Sequence, residues 1–298
     1  MSLANAITNT MEARKIPLGD YGIIVNHECP LDVLVPTRES RRYGKQFVPH
    51  LWGGGIQRGA FRRVAKDIYI SSPEFLYVQL ASEIDEIELA RLALELCGTY
   101  RLVQNMHYRR HCPALTSTAK LARFIERSAG SRGASKARSA LRWVADNSAS
   151  PQETNMLLAL CLPQRWGGYS LPLPELNPEL PVNERMRPYV EGDVYKPDCY
   201  WVRERHGKTV RITAEYDSDE CHGTPEDAER TRIRRNAFKT MGYLVTSVNL
   251  IQMRSATNFQ YPARQIARDL GLARPNLSFS ELAPKDELLR SLSHESLF

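Results

Sequence analysis

Apolar residues along the chain follow two spacings, and the switches between them mark the expected elements. Ile23-Ile24-Val25 and Leu31 to Val35 are short apolar runs bounded by turn-forming residues, the pattern of strands. Phe47-Val48 and Asp67 to Ile70 are further strand candidates. At Ser72-Pro73-Glu74 the pattern changes to a helix start, with Ser as N-cap and Pro at the first helical position. Apolar residues then recur at three-to-four spacing over Phe75 to Ala81 and Ile84 to Leu96, and Cys97-Gly98 supplies a stop. Another helix is expected over Thr116 to Arg127.

Ser128 to Ser135, SAGSRGAS, is small, polar and glycine-bearing, and reads as a linker. It divides the expectation into a mixed α/β domain over 1–133 and a second domain over 134–298. A helix over Lys136 to Asp146 introduces the second domain. Its order is then helix (Pro151 to Leu162), strand (Asp198 to Arg203), strand (Val210 to Asp217), helix (Pro225 to Met241), strand (Tyr243 to Val248) and helix (Phe259 to Leu270). From Pro275 onward the chain is polar, with a short helix expected at Asp286 to Leu292. The expected fold class is α/β (α+β), a mixed sheet flanked by helices.

The length, 298 residues, is comfortable for two domains, and 42% hydrophobic with 25% charged residues is ordinary globular composition. No apolar run approaches the ~20 residues of a membrane helix, and Met1 to Lys15 lacks the pattern of a secretory signal. The six cysteines, Cys29, Cys97, Cys112, Cys161, Cys199 and Cys221, show no paired spacing and read as reduced thiols in a cytoplasm. The net charge of +6 is a mild basic bias that suits a nucleic-acid partner without requiring one.

The candidate chemistry lies in the second half. In Val210 to Asp217, Glu215 and Asp217 share one strand face, while Val210, Ile212, Ala214 and Tyr216 share the other. If the preceding turn is centred on His206-Gly207, Arg205 faces Lys208 and Asp198 comes opposite Glu215. Opposed residues have Cβ atoms ~5 Å apart, and like charges there need a cation or a proton between them. Oxygen ligands alone suit Mg²⁺ or Mn²⁺. The plain alternative is a solvated strand face paired to Arg211 or Lys196, with Asp217 only opening a turn.

Glu153 lies on the apolar face of its helix, with Met156, Leu157 and Leu160 at helical spacing. It reads either as a further site acid or as the reaching-back residue of a capping box begun by Ser150 and Pro151. His222 is either a general base or a loop histidine. The helix after Thr224-Pro225 carries Arg230 and Arg234 on one face and Arg235 and Lys239 on another. Beside an acidic metal site these bind phosphates; otherwise they form a solvated basic face. Asp227 is placed as a capping acid. His107, His111 and Cys112 lack the further ligands that zinc needs, and Trp52-Gly-Gly-Gly55 lacks the lysine of a phosphate loop.

Pro197-Asp198, Ala214-Glu215-Tyr216-Asp217, His222, Asp227-x-x-Arg230 and Gly242-Tyr243 together resemble the restriction-endonuclease-like (PD-(D/E)xK) superfamily, in the branch of the very-short-patch mismatch repair endonuclease. The resemblance covers about residues 134 to 250. The Ile70 to Glu74 segment more loosely resembles proteins related to the abortive-infection antitoxin AbiEi. The superfamily resemblance implies a helix acid at Glu153, strand acids at Asp198 and Glu215, and the branch's histidine at His222. It implies metal at Asp198 and Glu215, with Mg²⁺ or Mn²⁺ as cofactor, and nucleic acid, DNA, as partner. The chain departs from the superfamily at Asp217, where a water-orienting Lys is usual, and Asp217 or His222 is expected to stand in for it as a catalytic residue. Two functions follow as expectations. One is a metal-dependent DNA endonuclease in repair or phage defence. The other is a non-catalytic DNA-binding regulator or antitoxin-like protein on the same fold.

Overall fold

The computed structural model describes residues 19, 25–26, 28, 30–41, 46–66, 68–103, 108–182, 184–185, 187–189, 193–217, 225–272 and 279–293. The fold is mixed α/β, in two compact units: 1–84 with 122–138, and 85–121 with 139–298. Ile23 and Ile24, expected in a strand, lie outside the described residues, as does His222.

The first unit holds two small sheets. Strands β1 (Leu31–Val35) and β2 (Phe47–Leu51) pair in parallel around Val33, Val35 and Phe47. Strands β3 (Phe61–Ala65) and β4 (Ile68–Ser71) pair antiparallel. Helix α1 (Pro73–Leu80) starts where the sequence places it, with the Ser72 hydroxyl accepting from the Phe75 N–H at 3.2 Å. Phe75 is fully buried, edge-on to both Trp52 and Phe61.

The expected linker, residues 128–135, lies inside the first unit, whose second segment ends at Arg138. Residues 128–133 form a turn between α3 (Thr118–Arg127) and α4 (Ala134–Leu141). Gly133, at φ +88°, lies so close to α1 that a Cβ would sit 2.8 Å from the Val78 carbonyl oxygen. Only glycine takes that backbone conformation at that approach without strain. Gly133 thus packs a tight corner and gives no slack, while a Cβ at Gly130 would meet nothing within 4 Å.

Residues 85–121 also belong with the second half, and hydrogen bonds show why. Helix α2 (Glu86–Leu96) is capped by Asp85. Strands β5 (Arg101–Leu102) and β6 (Tyr108–Arg109) form a small hairpin behind it. The Thr99 N–H donates to Ser148 at 2.7 Å, the Asn147 N–H donates to Cys97 at 3.1 Å, and Asp146 accepts from the Thr118 backbone and hydroxyl. Tyr100 shares a 3.0 Å hydroxyl bond with Thr154 of α5 (Pro151–Cys161).

The second unit's main sheet is built from β7 (Glu175–Leu176), β10 (Cys199–Arg205), β11 (Lys208–Asp217) and β12 (Tyr243–Asn249), in the order β12-β11-β10-β7. A short pair, β8 (Leu180–Pro181) with β9 (Val194–Tyr195), precedes it. β10 and β11 meet at His206 (φ 50°) and Gly207 (φ 71°). Two successive left-handed residues make the primed turn whose twist suits a two-residue hairpin. The turn sets the ladder from Arg205↔Lys208 to Cys199↔Ala214, so Asp198 comes next, across from Glu215. β12 runs parallel to β11 and is reached through α6 (Pro225–Thr240). Phe238 of α6 packs on Tyr195 and Tyr243, covering the face that carries Thr213 and Glu215. α5 and α8 (Ala256–Asp269) also pack on the sheet, where Ile212, Ala214 and Val248 are fully buried. Between β12 and α8 lies one turn of helix, α7 (Leu250–Met253), closed by an Asn249–Gln252 capping box. α9 (Phe279–Ser293) is longer than the short helix expected there. It is tied down by Lys285, whose ammonium donates to the Gly168 carbonyl at 2.7 Å. Among the described residues no helix is long and apolar enough to cross a membrane.

Candidate functional site

Where β10 begins and β11 ends, the sheet opens into a cleft of 230 Å³ lined by Arg110, Lys196, Asp198, Glu215, Tyr216, Asp217, Thr231, Arg234 and Arg235. The floor is acidic and the walls are basic. Asp198, Glu215 and Asp217 come together there as the sequence pattern anticipates.

Asp198 sits just before the ladder begins, and its Oδ2 accepts the Tyr216 N–H at 2.6 Å. β11 runs three residues past the end of its pairing with β10, so this side chain takes a hydrogen bond that a further strand residue would have made. Burial holds the Asp198 carboxyl well above its ordinary value of 3.8, and the neighbouring Glu153 charge adds to the shift; the Tyr216 bond and Arg234 oppose it. Part of the residue still faces the cleft.

Glu215 is 6% exposed. Tyr195 donates its hydroxyl to Glu215 Oε1, and Arg234 lies 3.8 Å from Oε2. Burial first, and then the Glu215 charge, push the Tyr195 phenol up, so it stays protonated and acts as a permanent donor. Its ring stacks on Phe238 at 3.6 Å, which fixes the direction of that bond. Asp217 is paired to Arg235, with both side chains largely buried.

Glu153 takes the capping geometry. Its N–H donates to Ser150 Oγ at 3.1 Å, while its carboxylate accepts from the Ala149 N–H at 2.9 Å and from the Ser150 hydroxyl at 3.0 Å. Asn177 adds a third donor at 2.7 Å. Burial raises the Glu153 carboxyl, and these three bonds oppose the rise. The residue does not line the cleft; it acts on it through its charge, which Asp198 feels.

On α6 the cleft-facing set is Thr231, Arg234 and Arg235, spaced three and four apart. Arg230, expected beside Arg234 as a phosphate contact, is exposed and outside the lining. Lys196 is paired with Glu179 at 2.8 Å, not with a site acid. Arg110, Tyr195 and Lys196 were not among the expected site residues. Tyr195 and Lys196 immediately precede Pro197-Asp198 and could have been found by proximity; for Arg110, far away in the chain, no local signal exists.

Among the described residues no three His, Cys, Asp or Glu side chains cluster to hold a metal ion. Two carboxylates facing a cleft are nonetheless a fitting donor set for Mg²⁺, which is commonly held by one or two carboxylates together with waters and substrate phosphate. No protein-family profile matches the chain, and searches of curated proteins and of solved structures return no match.

Proposed function

We propose that this chain is a metal-dependent endonuclease that hydrolyses phosphodiester bonds in DNA, with Mg²⁺ or Mn²⁺ held by Asp198 and Glu215. One observation carries the reading: two opposed carboxylates on the floor of a cleft walled by Arg110, Lys196, Arg234 and Arg235. Acids that repel one another favour a bound cation, and basic walls favour a polyanion. When bound, the ion would polarise the scissile phosphate and acidify a water.

The chain's own residues prepare for that chemistry. The Tyr195 hydroxyl and Arg234 hold the Glu215 carboxylate in place. The Tyr216 N–H fixes one oxygen of Asp198, leaving the other for a ligand. Arg235 engages Asp217, so Asp217 buttresses α6 and is a poor choice to orient water in place of the missing Lys. Lys196 is the amine on the cleft wall and takes that role in this reading.

One observation favours the second reading, a DNA-binding protein without catalysis. Arg234 and Arg235 already lie against two of the three floor acids, and Glu153 is committed to its helix. Cleavage of supercoiled plasmid in Mg²⁺ or Mn²⁺ separates the two. The nuclease reading expects cutting by wild type and a loss on the order of 10³-fold in both Asp198→Asn and Glu215→Gln, since metal-held charge stabilisation is worth several kcal/mol. DNA binding with no cutting in either metal leaves the second reading.

A further inference from the structure

We propose that Arg110 is the phosphate-binding residue of the cleft, delivered to a nucleic-acid backbone by the β5–β6 hairpin. The inference rests on the reading of the cleft as a phosphodiester site. It adds a contact from a segment outside the resembling region.

Charge pairing singles the residue out. Of the four cations lining the cleft, Lys196 is paired to Glu179, Arg234 lies beside Glu215 and Arg235 is paired to Asp217. Arg110 makes no ion pair among the described residues. Its Nε and Nη2 donate to the Tyr108 hydroxyl at 3.1 and 2.7 Å, a neutral acceptor. One edge of the guanidinium is therefore used for orientation. Among the described residues Nη1 has no hydrogen-bond partner, and the exposed residue lines the cleft. A planar fork without a salt-bridge partner among the described residues suits a phosphate oxygen pair better than a lysine would.

The mounting is rigid. Arg101, at the base of the hairpin, donates to the carbonyls of Glu95 at 2.9 Å and Gly98 at 3.1 Å, tying it to the end of α2. The Leu102 N–H returns a bond to Glu95 Oε1 at 2.9 Å. The Tyr108 ring stands edge-on to Tyr100, whose hydroxyl bonds Thr154, next to Glu153 at the start of α5. Arg110 is thus positioned by the same helix start that sets Glu153. Its charge lies close enough to act on both Glu153 and Asp198.

The test is fluorescence anisotropy with a labelled DNA duplex in chelator-containing buffer across a salt series, together with plasmid cleavage in Mg²⁺. Arg110→Gln should weaken binding about tenfold and reduce the salt slope by about one, the signature of one lost phosphate contact. Arg110→Lys should keep the slope and recover only part of the affinity. Tyr108→Phe should keep the slope and weaken binding less than Arg110→Gln. Arg203→Gln, an exposed site on β10 outside the cleft, should change affinity by less than about twofold if general charge is not the cause. Unchanged melting temperatures establish that the variants are folded. Wild-type affinity and slope in Arg110→Gln, or an equal loss in Arg203→Gln, overturns the inference while metal-dependent cleavage by wild type leaves the nuclease reading standing. Absence of both binding and cleavage in wild type overturns both.

Discussion

The start of α5 and the start of β10 each turn a carboxyl inward, and they treat it in opposite ways. Glu153 receives three donors, from Ala149, Ser150 and Asn177, which engage both of its oxygens. Among the described residues the Asp198 carboxyl receives a single N–H, from Tyr216. Burial raises both carboxyls. Burial therefore does not separate an acid committed to its own backbone from one that faces the cleft. The number of lone pairs already taken does, because a carboxylate that already accepts three of about four possible bonds has little left to offer a ligand.

The strongest way to break this contrast is a pair of stability measurements in chelator. Glu153→Ala should cost about 2–3 kcal/mol, since it strips the helix cap and leaves the Ala149 N–H and the Asn177 amide without their acceptor. Asp198→Asn should go the other way at pH 8. The folded-state pKa of Asp198 is raised above its unfolded value, so the folded protein holds the proton longer. Stability is then fully present at low pH and falls as pH rises from the ordinary aspartate range through the raised value. Asn does not titrate, so its advantage appears above that window and vanishes below it. Thermal unfolding of both variants from pH 3.5 to about 8 reads this directly. Equal losses from both at pH 8 would dissolve the contrast.

A smaller effect sharpens the site side. Tyr195→Phe keeps the stack on Phe238 but removes the donor to Glu215, at a cost of about 1–2 kcal/mol in urea unfolding. An unchanged midpoint would mean that Arg234 alone satisfies Glu215. The smallest expected effect is Glu153→Gln, within about 0.5 kcal/mol, because an amide also serves a capping box. A loss above about 1 kcal/mol would assign the helix start's requirement to negative charge instead of acceptor geometry.

These contrasts track what can be read from a linear chain. Ser72-Pro73 and Ser150-Pro151 announce their helices because a cap is a local device. His206-Gly207 announces the β10–β11 register for the same reason, and with it the meeting of Asp198 and Glu215. Gly133 misleads, because a glycine that permits close packing and one that permits slack look alike in sequence. The face of α6 that meets the cleft was legible only in part. Arg230, Arg234 and Arg235 all fit a helical spacing, and the choice among them is made by where Phe238 packs on Tyr195 and Tyr243. Arg110 is invisible in sequence because its role depends on residues 85–121 joining the second unit, which the Thr99, Thr118 and Tyr100 contacts decide.

The bond from the Tyr216 amide to Asp198 gives the protein a built-in probe. Backbone amides bonded to a carboxylate and to a neutral carboxyl differ in proton shift and in exchange with solvent deuterium. The Tyr216 resonance therefore follows the charge on Asp198 as pH changes, and would respond to a cation drawn onto the same carboxyl. A single backbone signal, read without substrate, follows the charge of the carboxyl that faces the cleft.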